Sequence, residues 1–445
     1  MGRLAQRITA SAGSTAPPGA SSITRPLSWI SNFFGSSTAS GARVTPETAL
    51  RAITAWRCVS LLSWLMAYLP LKVMRARKDG GAEVDRGHSN YRLLAQRPND
   101  WQTSFQRRQY AGLCLCTRGN SYDVIERDAS GNILSLIPQG PDNVTVYVDS
   151  EGYPVYRIVA YPSGKVLWFT RFEVHHNWLV SGNGYTGLSP VEMCREGIGF
   201  GLAMQEYASR VLAGGGLLTG TIELPPGMPP ETEAELRTSW KERHEGLSNI
   251  GKVAVLKGGA KFTPIGLKMT DAQWIDAMNL NIEQTCSIWG VPPALAGHTA
   301  PSSSWGTGEI ARYMGFLATT FDPMLIATEQ AMQRDLFLPE EFDVVWPQYV
   351  RAALLRTDLL TRYRSYAIGR QWGWLTVNKI LEFEDMNPVG DEGNVLLDPV
   401  NMTRIPIDPT ALLDAGSNGG NGEAALGPEV REFLQRALVG ARGGA

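Results

Sequence analysis

The sequence predicts a mixed α+β protein of several domains, and three observations carry that prediction. A stretch of six β-rich runs lies between Asn120 and Val180, two long helical patterns follow at 189–213 and 271–289, and those helices enclose a small insert that again alternates strand and helix. At 445 residues, with 43% hydrophobic and 19% charged residues, the chain can bury a sizeable core.

From Thr45 to about Met74, Leu50, Ile53, Trp56, Val59 and Leu62 recur at a helical spacing, which predicts one long amphipathic helix ending at Pro70. Its most apolar part, Cys58 to Leu71, is shorter than the roughly 18 to 20 residues of a membrane span, so it reads as a core helix. RPNDWQT at 97–103 precedes a second helix. The period then changes to that of strands: SYDVIE, ILSLI, NVTVYV, VYRIVAY, KVLWFT and VHHNWLV are separated by the turn clusters DASGN, DSEG and PSGK, an antiparallel meander.

Ser189, Pro190 and Glu192 form the start signal of the first long helix, which runs to the glycines at 214–216. About 24 residues at 1.5 Å each give a rod of roughly 36 Å. Gly197, Gly199 and Gly201 each cost about 1 kcal/mol there relative to Ala. Gly197 and Gly201 stand one turn apart, where another backbone could come close. In the insert, 217–268, LTGTIEL, KVAVLKG and KFTPIGL read as strands and 231–247 as a polar helix. The second long helix, with Thr270 and Gln273 as its capping box, lines up Trp274, Met278, Ile282, Cys286 and Trp289. It ends in IWGVPPALAG, where Gly290 is suited to a left-handed cap and Pro292 and Pro293 cannot continue a helix. A Ser/Gly loop, HTAPSSSWGTGE, follows. Helix resumes from Glu309 to Phe337 with a kink expected at Pro323, then at 354–370, 377–384 and, beyond a Gly/Asn-rich linker at 416–422, at 428–439.

The charge balance excludes several functions. A net charge of −2 gives no global basic field for nucleic acid, although residues 1–44, which contain no acid, read as a disordered basic arm. Five scattered cysteines read as buried thiols of a reducing compartment. GLSNIGKV at 246–253 imitates a phosphate loop, but it lacks the final Ser/Thr and leads into β-like sequence where a helix is required. His175 and His176 point to opposite faces of a strand and cannot share a metal. Ser189 is not a nucleophile elbow, since Val191 stands where Gly is needed. The carboxylates Glu382, Glu384 and Asp385 read as a solvated helix end. No catalytic constellation, cofactor or metal site emerges, which favours a structural machine over an enzyme.

Five segments in this order are shared with a known family: RPND..QT, GNSY at 119–122, GLSPV at 187–191, IWGVPPALAG, and LTVNKILEFEDMNPVGDEGNVLLDPVNM at 375–402. Over about residues 45–405 the chain resembles the portal proteins of long-tailed double-stranded-DNA bacteriophages, departing at Leu381, where a basic residue is more usual. The resemblance implies a ring, usually of twelve subunits, at one capsid vertex of the virion, assembled in the host bacterial cytoplasm. DNA is packaged and ejected through it. Its implied partners are the terminase large subunit, the major capsid protein, the head–tail adaptor and the passing double-stranded DNA, with no membrane.

Carried over, residues 45–188 and 309–353 are the wing, 189–216 and 269–297 the stem, 217–268 the clip, 298–308 a tunnel loop, 354–415 the crown and 416–445 a tail. Ser302, Ser303, Ser304, Trp305 and Thr307 would then face the channel, hydroxyls that touch phosphate without fixed charge. Glu231, Glu235, Arg237, Lys241 and Arg243 would form the clip's docking surface, and Gly197, Gly201, Trp274, Met278 and Trp289 would pack between subunits. Two readings compete with the phage portal: a phage-encoded packaging enzyme or hydrolase, and the portal of a domesticated gene-transfer-agent particle.

Overall fold

In the computed structural model the described residues are 21–22, 38–78, 80–213, 220–223, 231, 234, 238, 261–264, 271–298, 307–355, 359–384 and 386–397. The chain divides into two compact units, Met1–Ala353 and Leu354–Ala445.

The first unit opens with α1 (Pro46–Ala49), capped by Thr45, and α2 (Ile53–Tyr68). The single long helix expected from residue 45 is therefore divided, with Ala52 extended at ψ 119°. The apolar positions from Leu50 to Leu62 also fail to share a face. They recur at every third residue, and steps of three drift backwards around a helix of 3.6 residues per turn. Val59 and Leu62 are accordingly buried while Ile53 and Trp56 are exposed. Leu69, ahead of Pro70, adopts the extended conformation that a following proline favours, and the chain leaves as a strand, β2 (Leu71–Ala76).

β2 pairs with β3 (Ala82–Val84) and, from the far end of the unit, with β12 (Val345–Tyr349). α3 (Ser89–Ala95) leads to α4 (Ser104–Arg118), whose Thr103 and Gln106 form a reciprocal capping box. α4 lies against α2 so closely that a Cβ on Gly112 would meet Ser63 Cα at 2.9 Å.

All six β-rich runs are strands: β4 (Asn120–Arg127), β5 (Ile133–Gln139), β6 (Val144–Val148), β7 (Pro154–Ala160), β8 (Lys165–Phe169) and β9 (Val174–Trp178). They do not form one meander. β4 takes both β5 and β9, whereas β6, β7 and β8 make a second antiparallel sheet whose outer edge at β6 carries the short β1 (Ser21–Ser22). Alternation explains the split: Val144 and Val146, Tyr156 and Ile158, and Leu167 and Phe169 point one way and meet Tyr122, Val124, Ile137 and Val174 of the other sheet in a shared core.

The first long helix is interrupted at Cys194, giving α5 (Pro190–Met193) and α6 (Arg195–Ala213). β10 (Gly220–Glu223) and β11 (Lys261–Pro264) pair antiparallel in the insert, and α7 (Asp271–Ile288) returns beside α6. α8 (Thr307–Phe316) passes through a π turn, Leu317–Phe321, into α9 (Asp322–Leu336). The wider turn accommodates Pro323, which lacks the N–H that would continue the ladder.

The second unit contains α10 (Leu359–Gln371) and α11 (Val377–Phe383). Glu384 is not a solvated acid as expected. It accepts from Arg362 at 2.8 Å and Tyr366 at 3.0 Å and ties the two helices together, because the turn at Gly373 folds α11 back on α10. Glu382 pairs with Lys379 at the surface, and Asp385 lies outside the described residues. The expected helix at 428–439 and the phosphate-loop imitation at 246–253 lie outside them as well.

Candidate functional site

Three of the shared segments, far apart in sequence, converge on the C-terminal end of α4. A helix leaves its last carbonyls without intrahelical partners, and here each is taken by a different part of the chain. Trp289 Nε1 donates to Cys116 O at 2.8 Å, Ser189 Oγ to Thr117 O at 2.8 Å and Asn120 Nδ2 to Arg118 O at 3.0 Å. Gly119 caps the helix in the left-handed region at φ 72°. A Cβ on Gly119 would overlap the Leu188 carbonyl, and one on Gly187 would overlap the Gly119 carbonyl. GNSY and GLSPV therefore contain glycine because two backbones touch there.

Asn120 is the hub of this junction. Its Nδ2 also donates to Gly187 O at 2.8 Å, while its Oδ1 accepts from Gly187 N at 2.7 Å and faces His176 Nε2 at 3.0 Å. With both amide hydrogens committed, Oδ1 is the acceptor, so His176 Nε2 carries the proton and Nδ1 accepts from Tyr156 Oη at 3.3 Å. Burial pushes the His176 pKa well below its ordinary value, and Arg334 adds to this. The ring is neutral, stacked on Tyr122 at 4.3 Å.

His175 faces the other way, as the strand alternation requires, and its Nδ1 pairs with Asp335 at 2.9 Å. Burial would raise the Asp335 carboxyl, but hydrogen bonds from Arg334 and His175 outweigh it and hold the group below the usual carboxylate range. Among the described residues no Ser, Thr or Cys bonds either histidine ring, and none forms a group of three or more His, Cys, Asp and Glu able to hold a metal. The arrangement is a mechanical joint: Ser189 begins one long helix, Trp289 follows the other, and α4 anchors both.

RPNDWQT starts the same helix. Asn99 Oδ1 accepts from Gln102 N at 2.8 Å, and Arg97 wraps the turn by donating to Asn99 O and Asp100 O. IWGVPPALAG is the matching corner at the other end. Gly290 takes φ +61°, its carbonyl accepts from Thr320 Oγ1 in the π turn at 3.1 Å, and Arg57 Nε donates to Leu295 O at 3.2 Å. The corner thus joins α7 to both α2 and the π turn.

The expected contact residues fall in different places. Trp289 is 6% exposed and satisfied within its own chain. Cys286 is buried beside Cys58, their sulfurs 3.9 Å apart, and all five cysteines are free. Trp274 packs on Tyr207 at 5.5 Å, while Met278 is exposed. Gly201 receives the side chain of Asn281, whose Nδ2 donates to Gly197 O at 3.1 Å, and a Cβ on Gly197 would meet nothing within 4 Å. Sequence reasoning missed Asn281, although two glycines one turn apart signal a close approach.

Glu231 is helical and exposed, and Glu235, Arg237, Lys241 and Arg243 lie outside the described residues. So do Ser302, Ser303, Ser304 and Trp305, while Thr307 opens α8. Among the described residues no helix is long and apolar enough to cross a membrane.

A family model described as phage portal protein matches residues 53–385. The portal protein of Enterobacteria phage HK97 is 28% identical over 352 residues, 78% of this chain and 81% of that protein. A probable portal protein of Streptomyces phage phiC31 is 28% identical over 385 residues, 84% of this chain and 83% of its own. Among solved structures, an HK97-family phage portal protein from Corynebacterium diphtheriae superposes with a TM-score of 0.54 at 18% identity, covering 71% of this chain and 98% of that one. A chain from the neck of a native gene transfer agent particle, computed with C12 symmetry, gives a TM-score of 0.51 at 19% identity, covering 79% of this chain and 98% of its own.

Proposed function

The chain belongs to the phage portal protein family, and on that premise we propose that its copies close into a ring, of twelve subunits, forming the DNA channel at one capsid vertex. The observation that carries this is the junction on α4, which fixes two long helices side by side on a rigid base. Along this pair Phe200, Tyr207, Ile275, Met278 and Leu280 stand exposed, an apolar surface suited to a neighbouring subunit. The likeness to a gene transfer agent neck computed with C12 symmetry supports a ring of twelve.

In this reading the subunit has no catalytic role. Residues 45–188 and 309–353 form the wing, 189–216 and 269–297 the stem, 217–268 the clip and 354–415 the crown. The clip, through Glu231, Glu235, Arg237, Lys241 and Arg243, docks the terminase and later the head–tail adaptor. The loop 298–308 meets passing DNA, and a near-neutral subunit suits transit, since each added phosphate contact raises affinity and salt dependence. The ring sits in the virion against the major capsid protein after assembly in the host cytoplasm. The likeness to a gene transfer agent neck supports a second setting for the same machine, while the HK97 and phiC31 relatives favour a phage.

Native mass spectrometry of the purified chain tests the ring: a closed oligomer near twelve subunits is expected, and monomer alone at micromolar concentration overturns it. Shortening 302–307 to Gly-Gly should leave that oligomer intact and alter DNA packaging or retention; normal packaging removes the loop from the channel.

A further inference from the structure

The second unit contains a segment held in an unusual way. Residues 386–397 are fixed to the helices by polar bonds to their backbone. Asn378 Nδ2 donates to Gly390 O at 2.6 Å and to Asn394 Oδ1 at 3.0 Å, Asn378 Oδ1 accepts from Val389 N at 2.9 Å, and Arg370 donates to Val395 O at 2.5 Å. Gly393 packs so tightly on Asn378 that a Cβ there would overlap its amide. The apolar side chains of the same strap remain outside: Met386, Val389, Val395, Leu396 and Leu397 are each about half exposed, between 47% and 56%. Ordering a strap costs roughly 1–2 kcal/mol per residue in backbone entropy, and here little apolar burial offsets it. Among residues 362–384 and 386–397, Leu375 is the only large apolar side chain that is buried.

We propose that the strap is a latch between subunits, its apolar side chains covered by a second copy of this chain, so that the crown is completed only on assembly. The latch rests on the ring reading and goes beyond it by naming the surface. DNA is a poor occupant, because the strap has two acids, Asp391 and Glu392, and no Lys or Arg. A copy of the chain offers the complementary surface: α10 exposes Arg364 and Ile368 one turn apart, a basic and an apolar group to set against Glu392 and Leu396. Strap on one side and α10 face on the other make a head-to-tail contact, the kind that closes a ring.

Hydrogen exchange on the full-length wild-type protein, with assembled rings and unassembled subunits separated by size, tests the proposal without any variant. Amides of 386–397 should exchange at least about tenfold more slowly in the ring. Equal protection in both forms overturns the latch, and would mean that the strap is covered within its own chain, residues 398–445 included. Equal lack of protection in both overturns it too. Absence of any ring overturns the latch together with the ring reading, whereas rings with an unchanged strap remove the latch alone.

A second measurement identifies the surface. The Ile368→Cys, Leu396→Cys pair, joined with a short bismaleimide, should give a ladder of linked subunits on a denaturing gel from rings. Links confined to single chains overturn the proposal. Arg364→Glu should abolish the added strap protection and Arg364→Glu with Glu392→Lys should restore it; protection indifferent to both removes the stated partner face.

Discussion

The junction at the end of α4 and the α6–α7 pair solve opposite problems with the same residue type. At the junction, Gly119 and Gly187 let two backbones touch around Asn120, and the carbonyls of Cys116, Thr117 and Arg118 each find a donor inside the chain. In the helix pair, Gly201 admits only the side-chain amide of Asn281, Gly197 faces open space, and large apolar residues remain exposed on both helices. The contrast teaches where the chain finishes its own structure and where it leaves structure to be finished by a neighbour. Substitutions at the junction should cost stability in the single chain, and substitutions in the helix pair should be read mainly in assembly.

The largest effect is expected at the junction. A methyl group on Gly119 or Gly187 meets backbone carbonyls, which cannot rotate away, and Gly119 also occupies the left-handed region that disfavours side chains. Gly119→Ala and Gly187→Ala should each destabilise the chain by about 4 kcal/mol or more, seen as a large fall in the denaturant midpoint. A midpoint unchanged from wild type would break the contrast, because it would mean that the junction gives way as easily as the helix pair.

Asn120→Ala comes next, at about 3 kcal/mol, since it strands the Gly187 N–H and the His176 ring in a buried site. The same site sets a pH dependence. His176 is held neutral in the fold with a lowered pKa, so the unfolded chain binds the extra proton first. Its contribution is complete above the unfolded value of roughly 6.5 and declines as pH falls below it, by at most about 1.4 kcal/mol per unit. Asp335, also lowered, retains its contribution until pH falls below the unfolded value of roughly 3.9, then loses it. Unfolding midpoints measured from pH 8 to 5 should therefore slope in wild type and flatten in His176→Gln; parallel slopes would place the acid-sensitive group elsewhere.

Local pattern made much of the first unit legible in the sequence. Six strands follow from β-rich runs between turn clusters, and Ser189 and Gly290 act as the caps their chemistry suggests. What local pattern could not give was pairing. That β9 returns to β4 rather than to β8 depends on side chains meeting across two sheets, and β12 joins β2 across more than two hundred intervening residues. The spacing of three from Leu50 to Leu62 imitates a helical face without being one, which is why Ile53 and Trp56 fit the pattern and yet are exposed. The junction was visible only as separate short segments, because the donors that fill the α4 carbonyls come from residues 120, 189 and 289 and meet only in the fold.

The smallest effect separates the two glycines of α6, Gly197 and Gly201, and sharpens the contrast most. Gly201→Ala forces the Asn281 amide aside and breaks its bond to Gly197 O, which should cost about 1 kcal/mol after the gain in helix propensity. Gly197→Ala meets nothing within the chain. On propensity alone it should stabilise the unassembled subunit by up to about 1 kcal/mol. If a neighbour's backbone approaches Gly197 in the ring, the same methyl group must weaken assembly, so chain stability and ring stability move in opposite directions. Denaturant midpoints of the isolated subunit, set beside the concentration at which rings dissociate, give both numbers. Ring stability that rises together with chain stability would show that this face meets no neighbour, and Gly197 would then be a helix glycine with no packing role.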